Sequence, residues 1–152
     1  MPKKDTTKNI ILYVIEKLGQ KVEGKKKLMK LMFLIEHYDI ETKKLSSNNY
    51  IGNNFYIYHY GVFSLDIMNY VNELIKEGII KEGFPLKSNE KGRLDSEIKE
   101  RVDKVINKFG LYSGYELELD TLTMLGIERK EKKLYFGESI TTIMNKLQKS
   151  SA

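Results

Sequence analysis

Apolar residues near the start of the chain recur at helical spacing. Ile11, Val14, Ile15 and Leu18 share one face of a helix predicted over 6–18. Thr6 or Thr7 supplies its N-cap, and Gly19 sits just past its end. The turn from Gln20 to Gly24 leads to a second helix over about 25–41. Its apolar residues, Leu28, Leu31, Met32, Leu34, Ile35 and Tyr38, form a stripe wide enough to be largely buried. Two helices joined this closely suggest a helical hairpin or a helix-turn-helix.

The period then changes. In NFYIYHY, residues 54–60, Phe55, Ile57 and His59 face one way and Tyr56, Tyr58 and Tyr60 the other, as in a strand. Gly61 breaks it. Ser64 caps a third helix over about 65–77, which carries Leu65, Met68, Val71, Leu74 and Ile75 on one face and ends at Gly78. Ile79 to Lys81 form a short strand, Glu82-Gly83 a turn, and Leu86-Lys87 the return. A helix followed by such a hairpin is the pattern of a winged helix. A fourth helix over about 95–109 gathers Ile98, Val102, Val105, Ile106 and Phe109. A fifth starts near Ser113 and carries Leu117, Leu119, Leu122, Met124 and Leu125. Residues 128–136, ERKEKKLYF, read as an exposed connection, and a last helix spans about 138–149 through Ile140, Ile143, Met144 and Leu147. The expected fold is mainly α (α+β), with five to six helices, two or three short strands and a winged-helix-like plan. It forms a single domain over 1–152 with flexible ends at about 1–5 and 149–152.

Composition narrows the chemistry. The apolar fraction is 41%, so a real core is available. Cysteine is absent, which excludes disulfides, thiolate metal sites and a cysteine nucleophile. There are two histidines, His37 and His59, so a multi-histidine metal site would need carboxylates to complete it. No apolar run reaches membrane-spanning length, and MPKKDTTKN is not followed by a signal-type segment. The expectation is a soluble, cytoplasmic protein without membrane contact.

The net charge of +5 is unevenly spread. Residues 1–30 carry +6, residues 31–90 carry −3 and residues 91–152 carry +2. The basic front, Lys3, Lys4, Lys8, Lys21 and the run from Lys25 to Lys30, would suit phosphate or an acidic partner. The plainer alternative is a solvated helix start behind a loose tail.

Motifs for catalysis are missing. There is no G-x-x-x-x-G-K-[ST] loop, G-x-S-x-G elbow or H-E-x-x-H helix. His37 and Glu41 stand four apart on one helical face, a spacing that ligates a metal or pairs an acid with a base. It equally describes an ordinary surface pair. His59, on the inward strand face, reads as a buried histidine bonded to backbone. Glu116, Glu118 and Asp120 alternate; 116 and 120 share a helical face, 118 points elsewhere, and acids in a first turn favour the helix dipole. The expectation is no enzyme, no metal and no cofactor.

Tyr56, Tyr58 and Tyr60 are the most suggestive row. They are core if helices cover both faces, and otherwise anchor a protein or stack bases. A winged-helix regulator would contact DNA through Lys25, Lys26, Lys27 and Lys30 at the start of the second helix and through Lys87, Lys91 and Arg93 at the wing. The third helix presents Asp66, Asn69, Asn72, Glu73 and Lys76, which does not suit phosphate.

Three segments carry a family likeness. Gly24-Lys-Lys-Lys-Leu28-Met-Lys30-Leu31-Met-Phe33-Leu34 looks like a K-L-x-K-L-x-F/Y second helix. Phe55-Tyr-Ile-Tyr-His-Tyr60-Gly61-Val-Phe-Ser64, with Leu74-Ile-Lys-Glu-Gly78-Ile79-Ile80, looks like an aromatic strand, a Tyr-Gly turn and a capped helix ending in L-x-x-x-G-L-I. Ser113-Gly-Tyr-Glu116-Leu117-Glu118-Leu119 is similar to a late E-L-E-x-L helix. In these the chain resembles the Panacea (SocA-like) antitoxin domain and the related YwgA-like proteins over about 24–125. The resemblance implies a non-enzymatic, largely helical domain that binds a protein partner, such as a toxin or a protease, as antitoxin or adaptor. Tyr56, Tyr58, Tyr60 and Phe63 are the expected contact residues, with Lys25 to Lys30 assisting. A homodimer would use the same surface.

Overall fold

A helix that is apolar around most of its circumference has to be enclosed. In the computed structural model, which describes residues 3–150, α2 (Lys25–His37) is that helix, and every residue from Lys27 to His37 is buried. Around it pack α1 (Lys3–Leu18), α4 (Ser96–Phe109), α5 (Gly114–Met124) and a short strand, β4 (Gly61–Phe63). The chain is mainly helical, with three separate antiparallel strand pairs. These are β1 (Tyr38–Asp39) with β2 (Lys44–Leu45), β3 (Tyr56–Tyr58) with β4, and β5 (Ile80–Lys81) with β6 (Lys87–Ser88). Helix α3 (Leu65–Lys76) packs on α1 and β5, and α6 (Ile140–Ser150) ends the described chain. Among the described residues no helix is long and apolar enough to cross a membrane.

Enclosing α2 buries four charged or titratable groups, and each has a partner. Lys27 Nζ donates to the carbonyls of Lys21 (2.6 Å) and Gly110 (2.7 Å). Lys30 Nζ donates to Val62 O at 2.9 Å. Glu36 accepts from the backbone N–H groups of Ile51, Gly52 and Asn53 at 2.7–3.0 Å. His37 Nδ1 donates to Ser46 O at 2.9 Å. Lys27 and Lys30, expected as phosphate contacts, therefore serve as internal ties. Their neighbours Leu28 and Leu31 lie on the same all-round buried helix, which leaves these stems no path to solvent.

Several boundaries differ from expectation. Helix α1 starts at Lys3, so the loose end expected over about 1–5 is helical from that residue, and residues 1–2 and 151–152 lie outside the described chain. Thr7 is not a cap. It is buried in α1 and accepts a hydrogen bond from Asn53 Nδ2 at 3.0 Å. Helix α2 stops at His37 because Tyr38 turns extended (φ −80°, ψ 123°) and pairs with Leu45. Arg101 of α4 holds that end, donating from Nη2 to Ile35 O at 2.9 Å with its guanidinium over the Tyr50 ring. Glu41 falls in the following turn and is exposed, so His37 and Glu41 share no helical face. The segment 129–135, expected as an irregular connection, is a 3-10 helix whose start is capped by Glu128 and Glu131.

Three lysines of the basic front segment pair with acids of α3. Lys8 Nζ lies 2.8 Å from Glu73, Lys4 3.2 Å from the same carboxylate, and Lys3 4.0 Å from Asp66. Each such exposed pair is worth little, but together they occupy the acidic face of α3.

The segment between β6 and α4 lies directly on α1. Gly92 approaches Asn9 O and Tyr13 N so closely that a Cβ there would overlap backbone on both. Backbone cannot rotate aside as a side chain does. Gly92→Ala is therefore expected to lower the unfolding free energy by about 2–4 kcal/mol. Urea denaturation reads this directly, and a loss under about 0.5 kcal/mol would contradict the close approach.

Candidate functional site

The β3–β4 hairpin turns at His59-Tyr60, with Tyr58 paired to Gly61. Gly61 takes φ +88°, a conformation that L side chains rarely adopt. A Cβ at Gly61 would also press on Glu118 Cγ at 3.2 Å. So Gly61 does not merely end a strand; it reverses the chain and lets α5 in close. The strand expected over 54–60 is correspondingly short.

This turn decides where the aromatic residues go. Tyr56, Tyr58 and Phe63 form one cluster, with ring centroids 5.6–6.3 Å apart. Phe136 stacks on Tyr58 at 5.8 Å, held there because Gly137 N donates to Ile57 O and Ile57 N to Glu138 O. Tyr56 and Phe63 are half-buried, while Tyr58 is 46% exposed. Burial raises the Tyr56 pKa above its ordinary value. His59, expected to point inward, is exposed in the turn and packs edge-on against Phe136 at 4.9 Å. It left the inner face because the strand ends one residue before it.

Tyr60 stands apart from that row. It is 67% exposed and faces the start of α2, where Lys26 Nζ lies 5.0 Å from its ring centroid. The same ammonium lies 5.8 Å from the ring of Tyr115, itself 47% exposed on α5. Arg129 also lies against Tyr115, 5.2 Å from the ring, and its Nη1 donates to the Tyr115 hydroxyl at 2.9 Å. Beneath this layer Glu118 is 3% exposed and bridges Lys26 (2.7 Å) and Lys132 (3.1 Å). Burial raises the Glu118 pKa, and the hydrogen bonds from Lys26 and Lys132 more than offset that, leaving it lowered. The result is a surface of exposed rings and cations set on a fixed ionic base.

Of the residues expected to bind a partner, Tyr60 is exposed at this surface, and Tyr58 is exposed in the neighbouring hairpin cluster with Tyr56 and Phe63 half-buried beside it. Of the expected phosphate contacts, Lys26 reaches it. Lys25 is drawn away to Glu82 (2.7 Å) and Asn72 (3.3 Å). Lys87 and Arg93 are exposed on the far side, on β6 and the segment that follows along α1. The lysines and the arginine expected to contact phosphate or DNA, Lys91 included (3.5 Å from Glu16), therefore do not converge. Glu116 caps α5 through Ser113 N, as a first-turn acid should, and Asp120 is exposed.

Tyr115, Glu118, Arg129 and Lys132 were not singled out as site residues by sequence pattern. Glu118 had a signal: it falls among Gly114, Leu117, Thr121 and Leu122, the inner face of α5. Arg129 and Lys132 had none beyond a run of charge.

A second candidate lies beside His37, a pocket of about 300 Å³ lined by Glu36, His37, Tyr50 and Arg101 among others. Its polar groups all engage backbone: Glu36 the 51–53 amides, His37 the Ser46 carbonyl, Arg101 the Ile35 carbonyl. Burial lowers the His37 pKa, which disfavours the charged ring. Among the described residues no three His, Cys, Asp or Glu side chains gather as metal ligands.

Lys30 lies under the aromatic and cationic surface, 2% exposed. Burial lowers its pKa to about 7, with Lys26 and Lys132 adding to the fall and Glu118 opposing it. Unfolded, the same group has its ordinary value near 10.5. Between those values the unfolded chain holds more protons, so the stability due to Lys30 rises with pH. In Lys30→Met that dependence disappears. The stability of wild type relative to the variant is expected to rise by about 1 kcal/mol per pH unit between about pH 7 and 9. Urea unfolding of both proteins at several pH values checks it, and a flat difference would contradict a buried titrating lysine.

Fold and surface together define a mainly helical α+β domain whose exposed rings and cations are rigidly mounted around one buried carboxylate. Neither a family model, nor a curated protein, nor a solved structure matches the chain.

Proposed function

We propose that this chain is a non-enzymatic protein-interaction module of the cytoplasm, antitoxin-like or adaptor-like, that binds a protein partner through the face formed by Tyr58, Tyr60, Lys26, Tyr115 and Arg129. The observation that carries the reading is the exposure of Tyr58, Tyr60 and Tyr115 beside fixed cations. Tyrosine and arginine are the residues that most often anchor protein interfaces, because their large, stiff side chains lose little entropy on binding. The rings here are already held by Phe136, Lys26 and Arg129, so ordering them on binding costs little. The resemblance to Panacea (SocA-like) domains points the same way, toward a toxin or a protease as partner.

The test is recovery of the tagged full chain from the cells that produce it, at two salt concentrations, with and without nuclease. A protein bound in stoichiometric amount, resistant to both treatments, is the expected result. The chain alone, or a homodimer lacking any other partner, contradicts the reading. Nucleic acid that is lost at higher salt would favour a winged-helix DNA-binding regulator acting through Lys87 and Arg93.

A further inference from the structure

The interaction face carries more cation than its own carboxylate can satisfy. Lys26, Lys30 and Lys132 surround one buried acid, Glu118. Glu118 pairs with Lys26 and Lys132, and Lys30 is left with the Val62 carbonyl. Arg129 adds a further cation whose polar partner is the Tyr115 hydroxyl rather than a carboxylate. Of the nearby acids, Asp120 is exposed on α5 and three others are already engaged. Glu116 accepts from Ser113 N, Glu131 from Glu128 N, and Glu128 pairs with Lys130 at 3.3 Å. Lys26 and Arg129 meet at one ring: they lie 5.8 Å and 5.2 Å from the Tyr115 centroid. A second carboxylate placed there would complete the ionic set, in a pairing that a covering partner would shield from solvent.

From this geometry we infer that the face receives an acidic segment of the protein partner, with one carboxylate seated between Lys26 and Arg129 and an apolar or aromatic neighbour against Tyr60 and Tyr115. This rests on the interaction-module reading and names the chemistry of its partner. An isolated carboxylate fits better than a polynucleotide. A nucleic-acid strand brings a phosphate with every base and needs a continuous cationic track. Here Glu116, Asp120, Glu128 and Glu131 interrupt the cations along α5 and the 129–135 helix. Leu134, 76% exposed two residues past Lys132, offers apolar area that a peptide side chain can cover.

The probe is a library of random peptides of about a dozen residues, displayed on phage and selected on the full chain. Selected peptides are then synthesised in their own form and with each Asp or Glu replaced by its amide. A thymidine oligonucleotide of similar length serves as the nucleic-acid probe. Binding is read by fluorescence anisotropy. The expected result is enrichment of acidic peptides whose affinity falls about tenfold or more on amidation, and again with Lys26→Glu or Arg129→Gln. The unfolding midpoint of each variant, compared with wild type, shows that the fold is kept. Peptides that need Tyr60 and Tyr115 but bind equally well as amides overturn the acidic partner and leave the interaction module standing. Selection that yields no peptide dependent on these tyrosines overturns both. Tighter binding of the oligonucleotide, lost on raising salt from about 50 to 300 mM, overturns the inference in favour of nucleic acid.

Discussion

Glu36→Ala is expected to lower the unfolding free energy by about 3–5 kcal/mol, the largest loss from any single substitution considered for this chain. Glu36 is 2% exposed, in the last turn of α2. Its two oxygens collect the amides of Ile51, Gly52 and Asn53, which otherwise have no acceptor in that buried corner. Burial pushes the Glu36 pKa up; these three donors oppose the shift, and it stays raised. The same corner ties Asn53 Nδ2 to Thr7 of α1 and Asn49 Nδ2 to Asn53 O. Losing the carboxylate leaves one buried and two half-buried donors unpaired at once, which is far costlier than losing one exposed pair. Glu36→Gln keeps one acceptor oxygen and is expected to lose about half as much. Urea denaturation gives the two values. Amide exchange gives the location: the 51–53 amides should exchange quickly in Glu36→Ala while those of α5 stay protected. A loss below about 1 kcal/mol would mean that the segment is held by other means.

The second large effect concerns binding. Tyr60→Ala with Tyr115→Ala is expected to weaken capture of the partner by about 100-fold, because two exposed anchors are removed from one face. Both rings lie on the surface, so the unfolding midpoint should move little. Lys26 loses both rings in that variant but keeps its 2.7 Å bond to Glu118, so the ionic base survives. Binding lost with stability kept separates an interaction role from a structural one.

Much of the fold could be read from periodicity. The six long helices fall near their expected positions because each has a clear apolar stripe and, for α3, α4 and α5, a side-chain cap at Ser64, Asp95 and Ser113. What periodicity could not show was the end of α2 and the β3–β4 return. Both depend on contacts made from elsewhere in the chain: Leu45 pairing with Tyr38, and α5 packing close over Gly61. The lysines of α2 misled for a related reason. A run of Lys25, Lys26, Lys27 and Lys30 looks solvated, yet distant carbonyls at Gly110 and Val62 draw two of them inside.

The site was half legible. Tyr58 and Tyr60 stood out as aromatics in a short strand, and Lys26 as part of a basic run. Their partners did not, because Tyr115, Glu118, Arg129 and Lys132 come from more than fifty residues away and join only when α5 packs on α2. The alternation that placed Tyr56, Tyr58 and Tyr60 on one face was right for the first two. It failed for Tyr60 because the turn re-aims it toward Lys26.

The central claim is that this aromatic and cationic face binds a protein. Its most direct test is capture from the producing cells by the wild-type chain and by the Tyr60→Ala/Tyr115→Ala variant in parallel, each treated with nuclease. The account predicts a stoichiometric protein partner with the wild type that is missing from the variant. The same protein recovered with both chains, or no protein with either, would contradict it.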